Sequence, residues 1–453
     1  MTKFIKGVSR RGILKGGIAA SVAAGAGPTF FTRGAWAQDF VNNPTGDTVT
    51  FGFNVPLSGS YADEGADELR AYELAVEHLN NGGGMLETLE PSSLTGQGVL
   101  GKRVDFVSGD TQTNPDAARQ SAQRMIERDG VIMWSGGSSS ATAIAQQYLA
   151  QEKGVVFMCG LTHSNDTTGK DRRRYGFRHF FNAYQSGIAL GPILAAEYGT
   201  DRNAYHLTAD YSWGHTQHES IKNSTEEQGW NTVNNIMTPL GSPDFSQFLT
   251  QVLNSDADVL VLNHYGNDMV NSISQAVAFG MRDMQKNGKD LQIVVPLYSE
   301  LMAAGAGDNI EGILGTAQFN EKLDDAASKA FIDTFTEKYG FPPSQAAHTA
   351  YVQTILYANA CEMAGTFNPV EVIKALEGFE VNGIGPGSAL YRAEDHQCLH
   401  DILVVRGKAP SARSNEYDRL EIVKQLSREE VTYDPTIPEF GGPEAELGPY
   451  EVG

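Results

Sequence analysis

Short runs of apolar and β-branched residues alternate with helix-period segments along most of this chain. That alternation restricts the fold more than any single motif does. A strand followed by a helix and another strand leads to a parallel sheet covered on both faces. Val49–Leu57 (VTFGFNVPL) reads as a buried strand, and Leu69, Tyr72, Val76 and Leu79 then recur at helical spacing. Strands at 104–107, 131–134 and 155–158 alternate with helices at 115–129 and through Ala150. The pattern restarts with strands at 204–209, 232–237, 257–262 and 292–295. Helices at 215–228, 245–254 and 268–280 lie between them, and two or three more fill 326–379. A break near 180–200 separates the two runs. One doubly wound sheet rarely needs so many units, so the reading is an α/β protein of two doubly wound, Rossmann-like lobes. Polar tracts at 81–100 and 283–290 read as surface insertions. The aperiodic, proline-bearing tail from about 410 to 453 reads as an irregular strap or a partly disordered segment.

Charge and composition remove several function classes. The chain carries 55 acidic against 34 basic residues, a formal charge of −21. Such a surface repels phosphate backbones, so nucleic acid is not an expected partner. Three cysteines are too few for a disulfide-dense scaffold. No apolar window of about 20 residues exists beyond the N-terminus, which excludes an integral membrane protein.

The N-terminus reads as an address. Ser9-Arg10-Arg11-Gly12-Ile13-Leu14-Lys15 precedes an Ala/Gly-rich run from Gly16 to Phe31, and Ala35-Trp36-Ala37 is an A-x-A cleavage site. The run is too short to span a bilayer and is broken by Gly25, Gly27 and Pro28. The segment closely resembles the bacterial twin-arginine export signal, which implies the twin-arginine machinery as a partner and the periplasm as destination. Cleavage after Ala37 removes six cations and no anion, taking the formal charge from −21 to −27.

Doubly wound sheets bind ligands outside the carboxyl ends of their strands. Three loops there are rich in glycine and hydroxyls: Leu57–Gly65, Ser135–Thr142 and Cys159–Asp166. Backbone N–H groups opening a helix bind anions, carboxylates included, and Ser or Thr hydroxyls donate to the same group. Plain N-capping explains Ser138–Thr142 equally well.

The ordered series of segments resembles the type I periplasmic solute-binding proteins, in particular the branched-chain amino acid (Leu/Ile/Val-type) family of ABC importers. The matching pieces are FNVPLSGSYADEG at 53–65, SGGSSSATAI at 135–144, GFRHFFNAYQ at 176–185, DYSWG at 210–214 and AVAFG at 276–280. The resemblance covers about 47–410. It implies two lobes joined by a three-crossover hinge, with crossovers near 181–185, 315–320 and 386–392. Lobe one would be 47–182 plus 318–388, and lobe two 183–317 plus 389–410, leaving 411–453 as an extension. The ligand would sit between the lobes, with ABC permease membrane subunits as partners. Carried over by position, lobe one implies Ser139, Ser140, Thr162, His163 and Ser164 for a ligand carboxylate and ammonium. Lobe two implies Trp213, with Glu300 for the ammonium. Glu64 stands where the family often has an aromatic residue, and Tyr265 and Tyr298 are further candidates to cover the ligand. His163 and Glu64 depart from the family pattern, pointing to a solute more polar or cationic than leucine. The implied ligand is an amino acid or amide-like molecule.

Other motifs carry less. Gly82-Gly83-Gly84 lacks the Lys-Ser/Thr of a P-loop and reads as a helix cap. His215-x-x-His218 and His396-x-Cys398-x-His400 invite a metal reading, the second set sharing one face if it forms a strand. Cys361 and Cys398 could pair in an oxidising compartment. The basic run Lys170–Tyr175 reads as a solvated turn or a docking point. No nucleophile elbow or zinc-protease motif occurs, so the chain is read as a binder without a cofactor rather than an enzyme. Rival readings are an exported cofactor- or metal-containing protein and a periplasmic sensory module.

Overall fold

Residues 40–452 are described by a computed structural model; the export signal expected over 1–37 lies outside them. Buried β-branched and aromatic runs build two parallel sheets with one strand order. The first sheet is assembled from β1 (Thr48–Val55), α1 (Ala62–Asn81), β2 (Arg103–Asp110), α2 (Pro115–Glu127), β3 (Met133–Gly136), α3 (Ser140–Lys153), β4 (Val156–Cys159), α4 (Asn165–Thr168) and β5 (Gly176–Arg178). Its strands lie in the order β2-β1-β3-β4-β5 and are parallel throughout. Phe51, Phe53 and Trp134 sit in its core without exposure.

After α5 (Ala183–Tyr198) come β6 (Asn203–Ala209), α6 (Ser212–Glu227), β7 (Asn231–Thr238), α7 (Ser246–Leu253), β8 (Val259–Asn263) and α8 (Asn267–Ala278). A small hairpin of β9 (Gln285–Lys286) and β10 (Lys289–Asp290) precedes β11 (Gln292–Leu297), α9 (Glu300–Ala306) and β12 (Leu314–Ala317). The order β7-β6-β8-β11-β12 repeats that of the first sheet. Each sheet therefore reverses its winding beside its first strand, between β1 and β3 and between β6 and β8, where doubly wound folds open a crevice.

The chain then returns to the first lobe with α10 (Ala326–Tyr339), α11 (Gln345–Ala364) and α12 (Pro369–Leu376), and α11 packs along α1. A small antiparallel sheet follows, of β13 (Glu380–Asn382), β14 (Ser388–Tyr391) and β15 (Cys398–Leu399). β16 (Ile402–Gly407) and β17 (Leu420–Leu426) extend the second sheet antiparallel beyond β12, before a last turn α13 (Arg428–Val431). The chain passes from the first sheet to the second after β5, leaves the second after β12 for the helices packed on α1, and re-enters it between β15 and β16. Among the described residues, no helix is long and apolar enough to cross a membrane.

Several expectations change. The tail is not an irregular strap throughout: β17 is a paired sheet strand. From Thr432 the chain runs back onto the first lobe. The Arg174 N–H donates to Leu447 O at 2.6 Å and the Tyr175 hydroxyl to Tyr450 O at 2.6 Å. Lys170–Tyr175 is thus no solvated turn; Arg172 is buried and donates to Ala445 O. Nor do His396, Cys398 and His400 share one strand face. His396 sits in a turn at φ 59° and stacks on Phe177, while β15 holds only Cys398 and Leu399. Cys159, Cys361 and Cys398 are free and buried. His215 bonds Asp210 at 2.8 Å, and His218 packs edge-on against His206. Among the described residues no cluster of His, Cys, Asp or Glu is placed to hold a metal ion.

Candidate functional site

The first lobe presents its loops after β1, β3 and β4. Gly136 and Gly137 turn the chain at φ 125° and 85°. A Cβ at Gly136 would stand 2.2 Å from Asn54 O, so only glycine lets the two strands approach there. The Ser138 hydroxyl then donates to Glu68, whose other oxygen accepts the Leu161 N–H at 3.1 Å. Glu68 thereby joins two loops from beneath, and burial holds its carboxyl up at about 7. Thr162 is used inside the loop, donating to Gly137 O at 2.9 Å. Ser140 Oγ accepts the Ser164 N–H at 3.0 Å, and Ser164 Oγ caps α4 by accepting the Asp166 N–H at 3.2 Å.

Ser139 differs from these neighbours. It occupies the N-cap position of α3 in extended conformation but makes no capping bond. Only 4% of it is exposed, and it lines the cleft. Capping is therefore not its role, and its hydroxyl is left without a cap bond at the start of a fourteen-residue helix.

The second lobe supplies the opposing wall. The turn after β6 needs Gly214, where a Cβ would meet Ala209 O at 1.9 Å. It presents Tyr211 and Trp213, and the loop after β8 presents Tyr265. Tyr61 of the first lobe packs against Tyr211 and Tyr265 without itself bounding the cleft. The lobes touch directly: the Tyr61 and Tyr211 hydroxyls are 2.6 Å apart, and Ser164 Oγ is 3.0 Å from Ser212 Oγ.

His163 stands between the lobes and its protonation follows from its partners. Thr316 Oγ1 donates to Pro296 O at 2.6 Å, so it accepts from Ser186 Oγ at 2.8 Å. Ser186 in turn accepts from His163 Nε2 at 2.9 Å. The proton is therefore on Nε2, and Nδ1 is a buried acceptor without a partner. Burial pushes this imidazole well below the usual histidine range, so it is neutral.

The resulting cleft is bounded by Ser138, Ser139, Ser140, Leu161, His163, Tyr211, Trp213, Tyr265 and Leu297. Ser139, Ser140, His163, Trp213 and Tyr265 are thus brought together as the sequence suggests. Thr162 and Ser164 shape the loop behind them. Glu64 is buried on α1, close enough to act on Tyr265 and Tyr211, and burial pushes its carboxyl up to about 8. Tyr298 and Glu300 are not brought to the cleft. Tyr298 is fully buried with its hydroxyl unpartnered, and Glu300 accepts from Asn320 at 3.2 Å on the second crossing. Ser138, Leu161, Tyr211, Leu297 and the supporting Glu68 escape the sequence reading. Two had signals: Tyr211 lies within the DYSWG segment, and Glu68 follows Glu64 by one helical turn.

Two matching sheets, a crossing hinge and a small cleft at both switch points agree with the comparisons. The profile described as periplasmic binding protein matches residues 48–413. The Leu/Ile/Val-binding protein homolog 8 of Brucella abortus is 24% identical over 350 residues, covering 74% of this chain and 81% of the relative. A periplasmic binding protein from Burkholderia mallei superposes with a TM-score of 0.76 at 23% identity, covering 88% of this chain and 98% of that one. An ABC transporter solute-binding protein from Rhodopseudomonas palustris, solved with 3,4-dihydroxybenzoic acid, gives a TM-score of 0.72 at 21% identity over 84% and 98% of the two chains. The profile match spans nearly the whole two-lobed body, and the chain belongs to the periplasmic binding protein family.

Proposed function

We propose that this chain is the solute-binding component of an ABC importer and holds a small carboxylate-bearing solute between its lobes. The unused Ser139 hydroxyl at the N-terminus of α3 carries this reading, because it is a donor with no structural duty inside a closed cleft. The carboxylate lies on Ser139 and the first N–H groups of α3, with Ser140, Thr162 and Ser164 holding the loop in shape. His163, Trp213 and Tyr265 cover the remainder. The solute is of amino-acid size, the class named for the Brucella relative.

Capture on the first lobe is followed by hinge closure, and the closed form docks on the permease subunits. We assign 47–182 and 318–391 to lobe one. Residues 183–317 with β16 and β17 make lobe two, since both strands extend its sheet. Residues 1–37 serve as a twin-arginine signal, removed near Ala37 on delivery to the periplasm. No reaction is assigned to the cleft.

The test is calorimetric titration of the chain after unfolding and refolding to strip carried solute. A solute that binds the wild type should bind the Ser139→Ala/Ser140→Ala double variant at least about tenfold more weakly, as expected for the loss of the Ser139 bond to a charged group and of the Ser140 bond that shapes the loop. Equal affinity would remove these serines from the site.

A further inference from the structure

Arg178 ends β5 with its side chain fully buried. Each of its three side-chain nitrogens donates to a neutral oxygen. Nη1 donates to Ser164 O, Nη2 to Thr168 Oγ1 at 2.5 Å and Nε to Gln397 Oε1 at 2.7 Å. Among the described residues it forms no ion pair. The carboxylates that act on it, Asp395 and Asp166, have cations of their own: Arg392 donates to Asp395 at 2.9 Å, and Lys170 stands 3.0 Å from Asp166. Taking an ion out of water is costly, and a buried arginine is ordinarily paired with an acid. Here three hydrogen bonds fix the guanidinium without cancelling its charge. Burial brings it down only to about 10, so it remains a cation at neutral pH.

That charge supports the first-lobe wall of the cleft from behind. Ser164 is bonded at both ends of its backbone: its carbonyl accepts from Arg178, and its N–H donates to Ser140 Oγ at 3.0 Å. Ser140 opens α3 beside Ser139, and His163, the residue before Ser164, bounds the cleft. The wall itself brings no charge. No Asp, Glu, Lys or Arg bounds the cleft, and His163 is neutral. Glu68 is bonded to the same wall through Ser138 and Leu161, and burial keeps it mostly protonated below pH 7. With Glu68 neutral, these loops are backed by an uncompensated positive charge, which water screens little in a buried setting. Gln397 keeps the guanidinium aimed. Its Nε2 donates to Phe180 O at 2.9 Å, which turns its Oε1 toward Arg178 and Thr168.

Resting on the reading of this cleft as the site of a carboxylate-bearing solute, we propose that Arg178 is a positioning and selectivity residue. It holds the solute loop at Ser164 and supplies the positive field that makes the cleft prefer a carboxylate to the corresponding neutral amide. It does so through the loop, without touching the solute. The solute carboxylate is the counter-charge that the buried guanidinium lacks among the described residues.

Titration calorimetry of the stripped chain at pH 6, where Glu68 is mostly protonated, tests this with L-alanine, L-leucine and benzoate, each beside its primary amide. The wild type should bind an acid at least about tenfold more tightly than its amide. Arg178→Gln should weaken the acid about tenfold and leave the amide within about threefold. Arg178→Lys keeps the charge while giving up part of the hydrogen bonding, and it should keep the preference for the acid. A purely structural part would weaken acid and amide by the same factor in both variants, and that result would overturn the proposal. If Arg178→Gln does not fold, the lysine variant decides: an acid preference kept there supports the charge, and one lost there overturns it. A wild type that binds acid and amide alike would overturn the inference and leave the carrier reading standing. If none of the acids binds the wild type, the carboxylate reading beneath it falls as well.

Discussion

Ser139 and Ser140 are neighbours with opposite duties, and their variants should separate. Ser139 makes no cap bond, so Ser139→Ala should change the melting temperature by less than about 2 °C. Ser140 Oγ accepts the buried Ser164 N–H, and Ser140→Ala leaves that donor unpaired at a cost of about 1–3 kcal/mol. A loss of several degrees in a calorimetric scan is the expected result. Glu64 sets a pH dependence. Its folded pKa, about 8, lies above its ordinary 4.5, so the folded state binds the extra proton and stability falls as pH rises through that window. Glu64→Gln mimics the protonated form, so it should raise the melting temperature at pH 8.5 and leave it unchanged near pH 4. Equal curves for the two proteins across that range would contradict the buried acid. At this scale the loop serines and His163 were legible because a glycine-rich turn after a strand announces them. Tyr298 was not, because side chains at a strand end alternate in direction. Leu297 bounds the cleft and Tyr298 turns away, a difference of one residue that composition does not reveal.

Strands and helices were legible wherever burial imposes a period. β1 was expected at 49–57 and spans Thr48–Val55, and α2 was expected at 115–129 and spans Pro115–Glu127. The tail was not legible, because its attachments carry no period. β17 lies at a sheet edge, where its residues are mixed in exposure. The stretch beyond it is held by its own carbonyls, accepting from Arg172, Arg174 and Tyr175. Tyr450 adds a bond to Glu377 at 2.6 Å, and Asn182 donates to the Tyr433 hydroxyl at 2.7 Å. Hydrogen bonds from Arg174, His396 and Tyr450 hold Glu377 down at about 2 in spite of its partial burial. This segment leaves the second sheet and fastens to the first lobe beyond the end of the family match at residue 413. Deleting residues 432–453 should lower the melting temperature by about 5 °C or more, since each lost bond contributes about 0.5–1.5 kcal/mol. An unchanged transition would show that the attachment adds nothing to the fold.

Over the whole molecule, repetition explains why the architecture was readable while the solute was not. Two sheets of one strand order place two switch points opposite each other, and that order follows from the alternation of strand and helix. The solute depends on which way a handful of side chains point across the gap, and those directions are set by contacts between distant segments. Tyr61 and Tyr211 are 150 positions apart and meet at 2.6 Å. Closure is therefore a property of both lobes, and a solute favours it only by binding the closed form more tightly. The most direct measurement is a thermal-shift titration of the stripped chain with α-amino acids, betaines and aromatic carboxylates, run beside the Ser139→Ala/Ser140→Ala variant. One chemical class should raise the melting temperature of the wild type by several degrees through mass action, with little or no rise in the variant. A panel without any shift, or an equal shift in both proteins, would contradict a solute held between the lobes on these serines.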